Sequence, residues 1–554
     1  MKKILSAAFL TVSLTFCAAE PVLKVGLMSD THIRTWKSSC VTLKEALKLF
    51  KAHKVDMIVN AGDIAEVHHK QSYLNYRNTV KEVFSDMSKK PPEIFVFAWH
   101  DRVRRTRDPQ ENVFNDVKKY LEFEHEMYDI FKIKGYTFLL FPQGMDFKRY
   151  ENTIAKACRE NPGKPVFVLD HIPPYNTVYN SLTWGDKKRR EILDKYPQVV
   201  HLSGHVHGTL TNELNIWQGN FTAVNMGCLS GWAGALIGNS PSGMESDTAM
   251  IMEIYPEKLV FRRFFSKSKK EYKNNEQWII PIPFDKNSAP YNLARRKAKA
   301  VAPEFAENAK LDIAVNEKNV KLSFPQALHS DGVFNYKIMF YSQKNGRWEK
   351  FSRKDIIGNF MHTGKKRDMA VIYNLSAGYF EKGKNYRIEV IPAGFFGNEG
   401  KPLASQFKMK NAPYGKVIFE SHDPMKDCSF MSGLQRGKPL KLDADGFYIH
   451  NVHDARFVLP DKVWEGSKRG AKFRLTVDMH MKQSEERGWT LVMRNPVPMR
   501  NATTRIQTPP GDSGVFRFVI EFKKQSDDYK YYLLIREGLK GKIRFNYVKF
   551  ELLD

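Results

Sequence analysis

Between residues 22 and 202, short apolar runs alternate with longer amphipathic stretches. The six runs that predict strands are Leu23–Met28, Met57–Val59, Ile94–Phe97, Phe138–Phe141, Val166–Leu169 and Val199–Leu202. The stretches with helical spacing are Thr42–His53, Tyr73–Met87, Asn112–Phe131 and Asn152–Arg159. This alternation is typical of a layered α/β domain, because helices cover the faces of a sheet. After Leu202 the pattern predicts strands alone, at Thr209–Ile216, Phe221–Met226, Ala249–Ile254 and Lys258–Phe265.

The rest of the chain predicts β-sheet modules behind a basic segment. Residues 266–305 are polar, basic and contain Pro, which is typical of a solvated linker. Residues 306–412 predict a seven-stranded sandwich, in which Tyr386–Ala393 followed by Gly397–Gly400 resembles the last strands of a fibronectin type III domain. Residues 413–554 predict a second, jelly-roll-like β-sandwich. Together with residues 1–19 and 20–265, these make five segments.

The first nineteen residues have the features of an export signal. Lys2 and Lys3 precede the stretch Ile4–Phe16, which is apolar apart from Ser and Thr, and small residues follow before Glu20. We therefore predict a signal peptide at residues 1–19 and a secreted or periplasmic protein. Lipid anchoring at Cys17 is the alternative, but the bulky Phe16 before it is unusual for a lipidation site.

Composition limits the partners of the chain. Its 554 residues carry 87 Lys and Arg against 61 Asp and Glu, a net charge of +26, but the basic residues are scattered and form no nucleic-acid module. Sequence-specific nucleic-acid binding is therefore not expected, and the charge favours anionic substrates or surfaces. No apolar run after residue 20 is long enough for a transmembrane helix. The four cysteines beyond the signal lack a CxxC motif, so they predict no disulfide framework, although one disulfide is possible.

Asp and His residues follow five of the predicted strands directly. They are found in Ser29-Asp30-Thr31-His32, in Gly62-Asp63, in Trp99-His100-Asp101, in Asp170-His171 and in Gly204-His205-Val206-His207. Open α/β sheets place their sites at the carboxyl ends of the strands. Carboxylates and imidazoles are ligands that suit transition-metal ions. The order of these clusters therefore predicts a metal centre at one edge of the domain.

The same motifs, in this order over residues 22–265, resemble the calcineurin-like metallophosphoesterase family. The resemblance implies a four-layer α/β/β/α sandwich that hydrolyses phosphate mono- or diesters with one or two divalent metal ions, of Mn, Fe, Zn or Ni. It assigns His100 as the general acid and Asp101 as the residue that orients the His100 ring. It also assigns two sets of metal ligands that share Asp63: Asp30, His32, Asp63 and His207 in one, and Asp63, His171 and His205 in the other.

Trp99 departs from the family pattern, which has Asn at this position as a ligand of the second metal. An indole offers only an N–H donor and cannot bind a cation through it. Three alternatives follow: a second metal that keeps extra water, an enzyme with one tightly bound metal, or a catalytically degenerate binding and adhesion protein. Glu66 occupies the position where purple acid phosphatases have a Tyr ligand, so a ferric–tyrosinate site is not expected. Glu66 itself is either a partner of a ligand imidazole or a surface carboxylate.

Two further groups of side chains are candidates for binding. Arg102 and Arg104 follow the third motif and match phosphate oxygens in geometry, although a solvated loop is the alternative reading. Aromatic residues of the last segment, among them Trp464 and Tyr531, would stack on a glycan if this segment is a carbohydrate-binding module, or lie in its core.

Overall fold

The computed structural model describes most of the chain after the predicted signal peptide. The described residues are 20–102, 110–230, 247–273, 276–358, 370–411, 413–432, 439–443, 446–449, 455–483, 490–494, 504–507, 514–527, 531–536 and 541–553. The predicted signal peptide and Arg104 lie outside these ranges. Within them, no helix is both long and apolar enough to cross a membrane, and the cysteines Cys40, Cys158, Cys228 and Cys428 form no disulfide.

The first part of the chain, up to residue 299, contains thirteen described strands and seven described α-helices. In chain order they are β1 Leu23–Met28, α1 Val41–Ala52, β2 Met57–Asn60, α2 Lys70–Val83, β3 Glu93–Phe95, α3 Gln110–Leu121, β4 Asp129–Ile133, β5 Tyr136–Leu140, α4 Phe147–Glu160, β6 Val166–Leu169, α5 Ser181–Trp184, α6 Lys187–Leu193, β7 Val199–Ser203, β8 Ile216–Gln218, β9 Thr222–Asn225, β10 Thr248–Ile254, β11 Lys258–Phe265, β12 Lys270–Glu271, β13 Trp278–Pro281 and α7 Leu293–Lys299.

These strands form two sheets that pack face to face. The first sheet has the order β12-β11-β10-β1-β2-β3, with β13 also paired to β11, and the second has the order β4-β5-β6-β7-β9-β8. Side chains of both sheets, such as Leu27, Val59, Leu140 and Leu202, meet in one buried core. Helices α1 to α3 cover the outer face of the first sheet, and α4 and α6 cover that of the second. The predicted four-layer α/β/β/α arrangement is confirmed.

Two local predictions differ from the structure. The predicted helix Asn112–Phe131 ends at Leu121, where Glu122 takes a left-handed φ of 59°, and the chain then enters strand β4. Strand β4 pairs with β5 through a turn at Lys134 and Gly135, both of which have positive φ. Most of the predicted strand Thr209–Ile216 forms a buried turn and a short 3₁₀ helix instead, because its polar side chains bond locally.

The second part of the chain forms β-sandwiches, as predicted. Strands β14 Asp312–Val315, β15 Asn319–Phe324, β16 Asn335–Lys344, β17 Arg347–Ile357, β18 Val371–Ser376, β19 Asn385–Ala393 and β20 Leu403–Lys408 pair as β14-β15-β18 and β17-β16-β19-β20. The two faces share one core. Three strands opposite four is the arrangement expected of a fibronectin type III-like domain.

The last strands form a second sandwich of two larger sheets. They are β21 Lys416–Ser421, β22 Ser429–Ser432, β23 Phe447–Ile449, β24 Ala455–Val458, β25 Lys472–Gln483, β26 Thr490–Arg494, β27 Thr504–Gln507, β28 Gly514–Lys523, β29 Tyr532–Arg536 and β30 Gly541–Leu553. They pair as β21-β30-β25-β28 with β23, and as β22-β24-β29-β26-β27. Trp464 and Tyr531 are buried in the core between these sheets, so neither offers a face to a sugar.

Candidate metal centre

The loops that follow β1, β2 and β7 turn sharply, and main-chain hydrogen bonds tie the first two together. The amide of Asp30 donates to the carbonyl of Gly62, and the amide of His32 donates to that of Asp63, both at 3.0 Å. Five non-glycine residues take left-handed φ angles between 43° and 72° in these loops: Asp30, His32, Asp63, His205 and His207. Each such residue costs roughly 1–2 kcal/mol. The surrounding fold therefore holds these ligand-bearing residues in an unfavourable backbone conformation.

Six of the predicted side chains converge into two groups that share one carboxylate. Asp30, His32, Asp63 and His207 place one ligand atom each within 4.8 Å of one another, and Asp63, His171 and His205 do the same. In the first group, Asp30 Oδ1 lies 3.1 Å from His207 Nε2 and 3.8 Å from His32 Nε2. In the second, Asp63 Oδ2 lies 3.2 Å from His171 Nε2. The structure thus brings together the predicted ligand sets.

The chemistry of these atoms fits transition-metal ions. His171 is fully buried, and its Nδ1 donates to the carbonyl of Ala61 at 2.8 Å, so that Nε2 faces the cluster. That Nε2 makes no aligned hydrogen bond although Asp63 Oδ2 is near. Orienting a ligand imidazole through its other nitrogen is the usual arrangement at a metal. Two carboxylates and four imidazoles give a nitrogen–oxygen donor set that suits Zn, Mn, Fe or Ni.

Burial and the charges of the neighbouring groups shift the pKa values of the ligand side chains. Burial alone would lower the pKa of His171, but the adjacent Asp63 carboxylate overcomes this and raises the pKa to about 9. Burial would raise the pKa of Asp30, yet His207 lowers it to about 2. Burial, and next the neighbouring His171, lower the pKa of His205 to about 3. The cluster therefore carries anionic carboxylates that a cation would neutralise in place of protons.

His100 lies beside the shared carboxylate. Its amide donates to Asp63 Oδ1 at 3.0 Å, and its ring lies edge-on to the His32 ring with centroids 4.9 Å apart. The ring Nδ1 is 2.6 Å from the carbonyl oxygen of Glu66. Because a carbonyl only accepts, Nδ1 carries the hydrogen, and Nε2 is the nitrogen that can exchange a proton with a ligand.

The Asp101 side chain is bonded to main-chain amides of the neighbouring loops. Its buried carboxylate accepts hydrogen bonds from the amides of Ile64, Ala65 and Ala98, so that it ties the β2 and β3 loops together. The Nδ1 atom of the His100 ring contacts the Glu66 carbonyl instead. Burial, with the charge of Asp63, raises the pKa of Asp101 to about 7. The described contacts of this carboxyl group are thus with the loops, and its role in orienting the His100 ring stays a prediction.

The Glu66 side chain contacts a ligand imidazole. Its Oε2 lies 3.3 Å from His32 Nδ1, and the side chain is 21% exposed. Burial opposes ionisation of Glu66, but the hydrogen bond to His32 lowers its pKa below the usual value. Of the two alternatives for Glu66, the geometry favours a partner that orients His32.

Trp99 is partly exposed to solvent, whereas Arg102 packs against the domain. Trp99 is 50% exposed, and its amide donates to Gln143 Oε1 at 2.7 Å. The second ligand group therefore keeps three protein ligands among the described residues. The guanidinium of Arg102 lies over the Phe97 ring at 5.8 Å and against Gly144. These contacts are with the domain and not with the ligand groups.

Two features near the site were not assigned a role from the sequence. The buried Asp170 carboxylate binds the guanidinium of Arg189 and accepts from the amide of Ile172 at 3.3 Å, which fixes the chain on both sides of His171. The ring of Trp184 lies edge-on to the His205 ring, with centroids 5.7 Å apart. The position of Asp170 directly before His171 was an indication of the first feature, the ion pair with Arg189. Nothing in the sequence indicates the contact of Trp184 with His205.

Solved structures resemble this chain only distantly. No curated protein matches the chain. Similar solved structures include carbohydrate-binding modules of the β-sandwich superfamily (8% identity, 46% of this chain and 99% of that chain, TM-score 0.15). They also include the module CBM6cm-2 from Cellvibrio mixtus lichenase 5A in complex with cellotriose (9% identity, 24% of this chain and 97% of that chain, TM-score 0.15). A further one contains chicken CNTN1 FN1–FN3 domains (10% identity, 56% of this chain and 83% of that chain, TM-score 0.15). These TM-scores are too low to support a conclusion about this chain.

The family comparison covers the ligand-bearing loops themselves. The model of the calcineurin-like phosphoesterase family matches residues 23–209, from the first residue of β1 to just beyond His207. This range contains every residue of both ligand groups and His100. Residues 23–209 therefore form a calcineurin-like phosphoesterase domain.

Proposed function

We propose that the protein is an exported, metal-dependent phosphoesterase that hydrolyses a phosphate mono- or diester. The observation that carries this proposal is the pair of ligand groups that share Asp63, with the His100 amide bonded to the same carboxylate. When bound, two cations would supply the Lewis acidity that activates a water and neutralises the phosphate oxygens. Asp30, His32, Asp63 and His207 would hold one cation, and Asp63, His171 and His205 the other.

The residues of the chain have separable roles in this proposal. Asp63 Oδ1 accepts the His100 amide while its Oδ2 faces His171, so one carboxylate fixes the distance between the acid and the ligands. The Glu66 carbonyl holds the hydrogen on His100 Nδ1, so that Nε2 is the ring nitrogen left to face a ligand. His100 then holds the proton at Nε2 that the departing alkoxide receives.

The comparison of wild type with His100→Ala and Asp63→Ala tests this function. We expect wild type loaded with Mn, Zn, Fe or Ni to hydrolyse aryl phosphate mono- or diesters. His100→Ala should retain metal and lose activity most strongly toward esters whose leaving group is weakly acidic, and Asp63→Ala should lose both metal and activity toward all esters. His329→Ala, a change in the first β-sandwich, is the control. Equal activity of wild type and both site variants would contradict the proposal.

Export is the cellular part of the proposal. The apolar run Ile4–Phe16 behind two lysines supports a signal peptide at residues 1–19, and the net charge of +26 supports attraction to an anionic substrate, glycan or surface. The two β-sandwiches would hold the catalytic domain near such a surface. Expression of the full chain, followed by N-terminal sequencing of the exported form, should give a start at Glu20.

Trp99 favours one second candidate, a degenerate binding protein that keeps the fold without turnover. In that case the metal-loaded chain would bind phosphate esters or a surface and hydrolyse neither monoesters nor diesters. Arg102 and Arg104 remain candidates for phosphate binding, and Arg102→Met separates the two roles. A raised KM with unchanged thermal stability would support phosphate contact, whereas lower stability alone would support packing on Phe97.

A further inference from the structure

The segment Ile172–Asp186, the 172–186 loop, leaves the second ligand group directly after His171 and closes on itself. The Tyr175 amide donates to the Asp186 carbonyl, and the Asp186 amide donates to the Pro173 carbonyl, both at 3.0 Å. These bonds join the two ends of the loop, so that it is a compact element that shifts as a unit.

Helix α5 of this loop lies between the first β-sandwich and a metal ligand. Just before the helix, the ring of Tyr179 lies edge-on to the ring of Phe334 in the sandwich, with centroids 6.1 Å apart. At the end of the helix, the ring of Trp184 lies edge-on to the ring of His205, with centroids 5.7 Å apart. The Trp184 amide donates to the Asn180 carbonyl at 3.1 Å. One helical turn therefore links the contact with the sandwich to the contact with the ligand.

The segment that follows His207 reaches the same sandwich. The Tyr179 amide donates to the Leu214 carbonyl at 2.9 Å, and the Leu214 side chain packs against the core of the first β-sandwich. The carboxylate of Glu213 binds Arg263 of β11 at 2.9 Å, so the segment lies between the first sheet and the sandwich. The two segments that extend from the second ligand group therefore meet each other at the sandwich.

Other contacts hold the sandwich on the catalytic domain. Lys273 Nζ lies 2.5 Å from Asp331 Oδ1, and the guanidinium of Arg296 lies 4.3 Å from the centre of the Phe396 ring. Both cations also lie near the buried Glu213 carboxylate, at 3.7 and 3.2 Å. Loss of one aromatic contact would therefore not detach the sandwich, and its effect on the metal centre can be measured in the intact chain.

We propose that Tyr179 and Phe334 are positioning residues of the second metal site, so that the first β-sandwich helps to hold this metal. The inference rests on the proposed function, because it takes Asp63, His171 and His205 as ligands of a second cation. This group has three protein ligands among the described residues. With so few ligands, binding depends strongly on how neighbouring groups fix the position of each imidazole.

The first ligand group depends less on this junction. Three of its four ligands, Asp30, His32 and Asp63, lie in the loops after β1 and β2, which main-chain hydrogen bonds tie together. Its fourth ligand, His207, precedes the segment that reaches the sandwich. A change at the junction should therefore weaken binding of the second cation selectively, whereas a general loss of stability would weaken binding of both.

Titration of the metal-free full chain with Mn²⁺ tests this inference without turnover. Calorimetry would measure both affinities, and elemental analysis would count the bound ions. We expect Phe334→Leu and Tyr179→Leu each to weaken the second ion about tenfold, at the lower end of such effects. The double variant should be no weaker than either single one, because both remove the same contact. Tyr179→Phe keeps the ring and should bind like wild type, as should the control Trp348→Leu, at the β16–β17 hairpin.

The outcomes separate this inference from the proposed function. Wild-type affinity for both ions in a folded Phe334→Leu, an equal loss for both ions, or a single bound ion in wild type would overturn the positioning role while hydrolysis stands. Thermal unfolding verifies that each variant is folded, and Tyr179→Leu decides if Phe334→Leu unfolds the sandwich. Selective loss of the second ion, in a chain whose wild type hydrolyses no ester, would support the positioning role and contradict the phosphoesterase.

Discussion

Asp63 and His100 are coupled through one short main-chain contact. The carboxylate of Asp63 faces His171 through Oδ2 and accepts the His100 amide through Oδ1. Its pKa lies well below the usual value, because His171 and His32 outweigh the cost of burial. A change at Asp63 would therefore disturb both the ligands and the acid, whereas a change in the His100 side chain leaves its amide contact in place.

The side chain of His100 gives the sharpest prediction at this scale. We expect His100→Gln to lower kcat for an alkyl phosphate ester by about 10²- to 10⁴-fold, because the leaving alkoxide loses its proton donor. Metal content, measured by elemental analysis, should equal that of wild type. Aryl esters with acidic leaving groups should be less affected, since they depart without a proton. An equal loss for both esters would contradict the role of general acid.

Trp99 gives a second prediction, which concerns metal affinity. Trp99→Asn should supply the missing amide oxygen and strengthen binding of the second metal by about 10- to 100-fold, a range comparable with effects of residues near metal ligands. Metal titration followed by elemental analysis measures it. Trp99→Phe is the matched control, because it keeps an aromatic side chain and adds no ligand. Two tightly bound ions in purified wild type would show that the second site is already complete.

At the scale of elements, Glu213 joins the segment that follows His207 to the end of the first sheet and to helix α7. Its buried carboxylate accepts from Arg263 at 2.9 Å, from the indole of Trp278 at 3.0 Å and from Arg296 at 3.2 Å. Burial opposes its charge, but Arg263 and then Lys273 lower its pKa from 4.5 to about 2. Residues 266–305 were predicted as a linker, but the described part of residues 266–299 is held on the domain by these contacts.

This low pKa predicts how stability depends on pH. The group contributes stability above pH 4.5, and this contribution is lost as pH falls toward 2, because the unfolded chain takes up the proton first. The shift is equivalent to about 3 kcal/mol. Chemical unfolding should therefore show Glu213→Gln less stable than wild type at pH 7, with a smaller difference near pH 3. Glu276→Gln, an exposed partner of Lys273, is the control and should change little. A difference independent of pH would contradict the ionised state.

The strand ends were predictable from sequence, and the polar loops were not. Apolar runs locate β1 and β6 to the residue, because a buried strand needs an unbroken apolar sequence. Strand β4 was hidden because only alternate residues face inward, although the Lys134-Gly135 turn is a hairpin signal. Glu213 was hidden because its partners lie 50 or more residues away, and local patterns carry no information on such contacts.

The candidate site likewise has features that were predictable from the sequence and features that were not. Its ligands follow strands, so that order along the chain was enough to predict them. The contact of Asp101 with three amides and the position of Trp184 depend on how separate loops approach each other in space. The domain limits at 265, 305 and 412 remain predictions. Strands β12 and β13 pair with β11, so the first sheet continues beyond residue 265.

At the scale of the whole molecule, Arg517 joins the two β-sandwiches through one ionic contact and one hydrogen bond of its main chain. Arg517 of β28 donates to Asp478 of β25 at 2.7 and 2.8 Å, and across the junction to Glu381 at 3.2 Å. Ser352 of β17 donates to the Arg517 carbonyl at 3.0 Å. Arg517 and Asp478 are largely buried, so their pair is weakly screened by solvent, whereas Glu381 is 47% exposed and its contact is screened more strongly. The sandwiches should therefore unfold together and hold a fixed relative orientation.

Removal of the Arg517 guanidinium tests this coupling. Arg517→Met keeps the apolar stem but leaves Asp478 without its partner, and loss of one member of a buried pair costs about 3–5 kcal/mol. Calorimetry should then show the single transition of the two sandwiches split into two, with the last sandwich unfolding first. Arg347→Met, at an exposed hairpin of the first sandwich, should leave one transition. An unsplit transition in Arg517→Met would show that apolar contacts alone hold the sandwiches together.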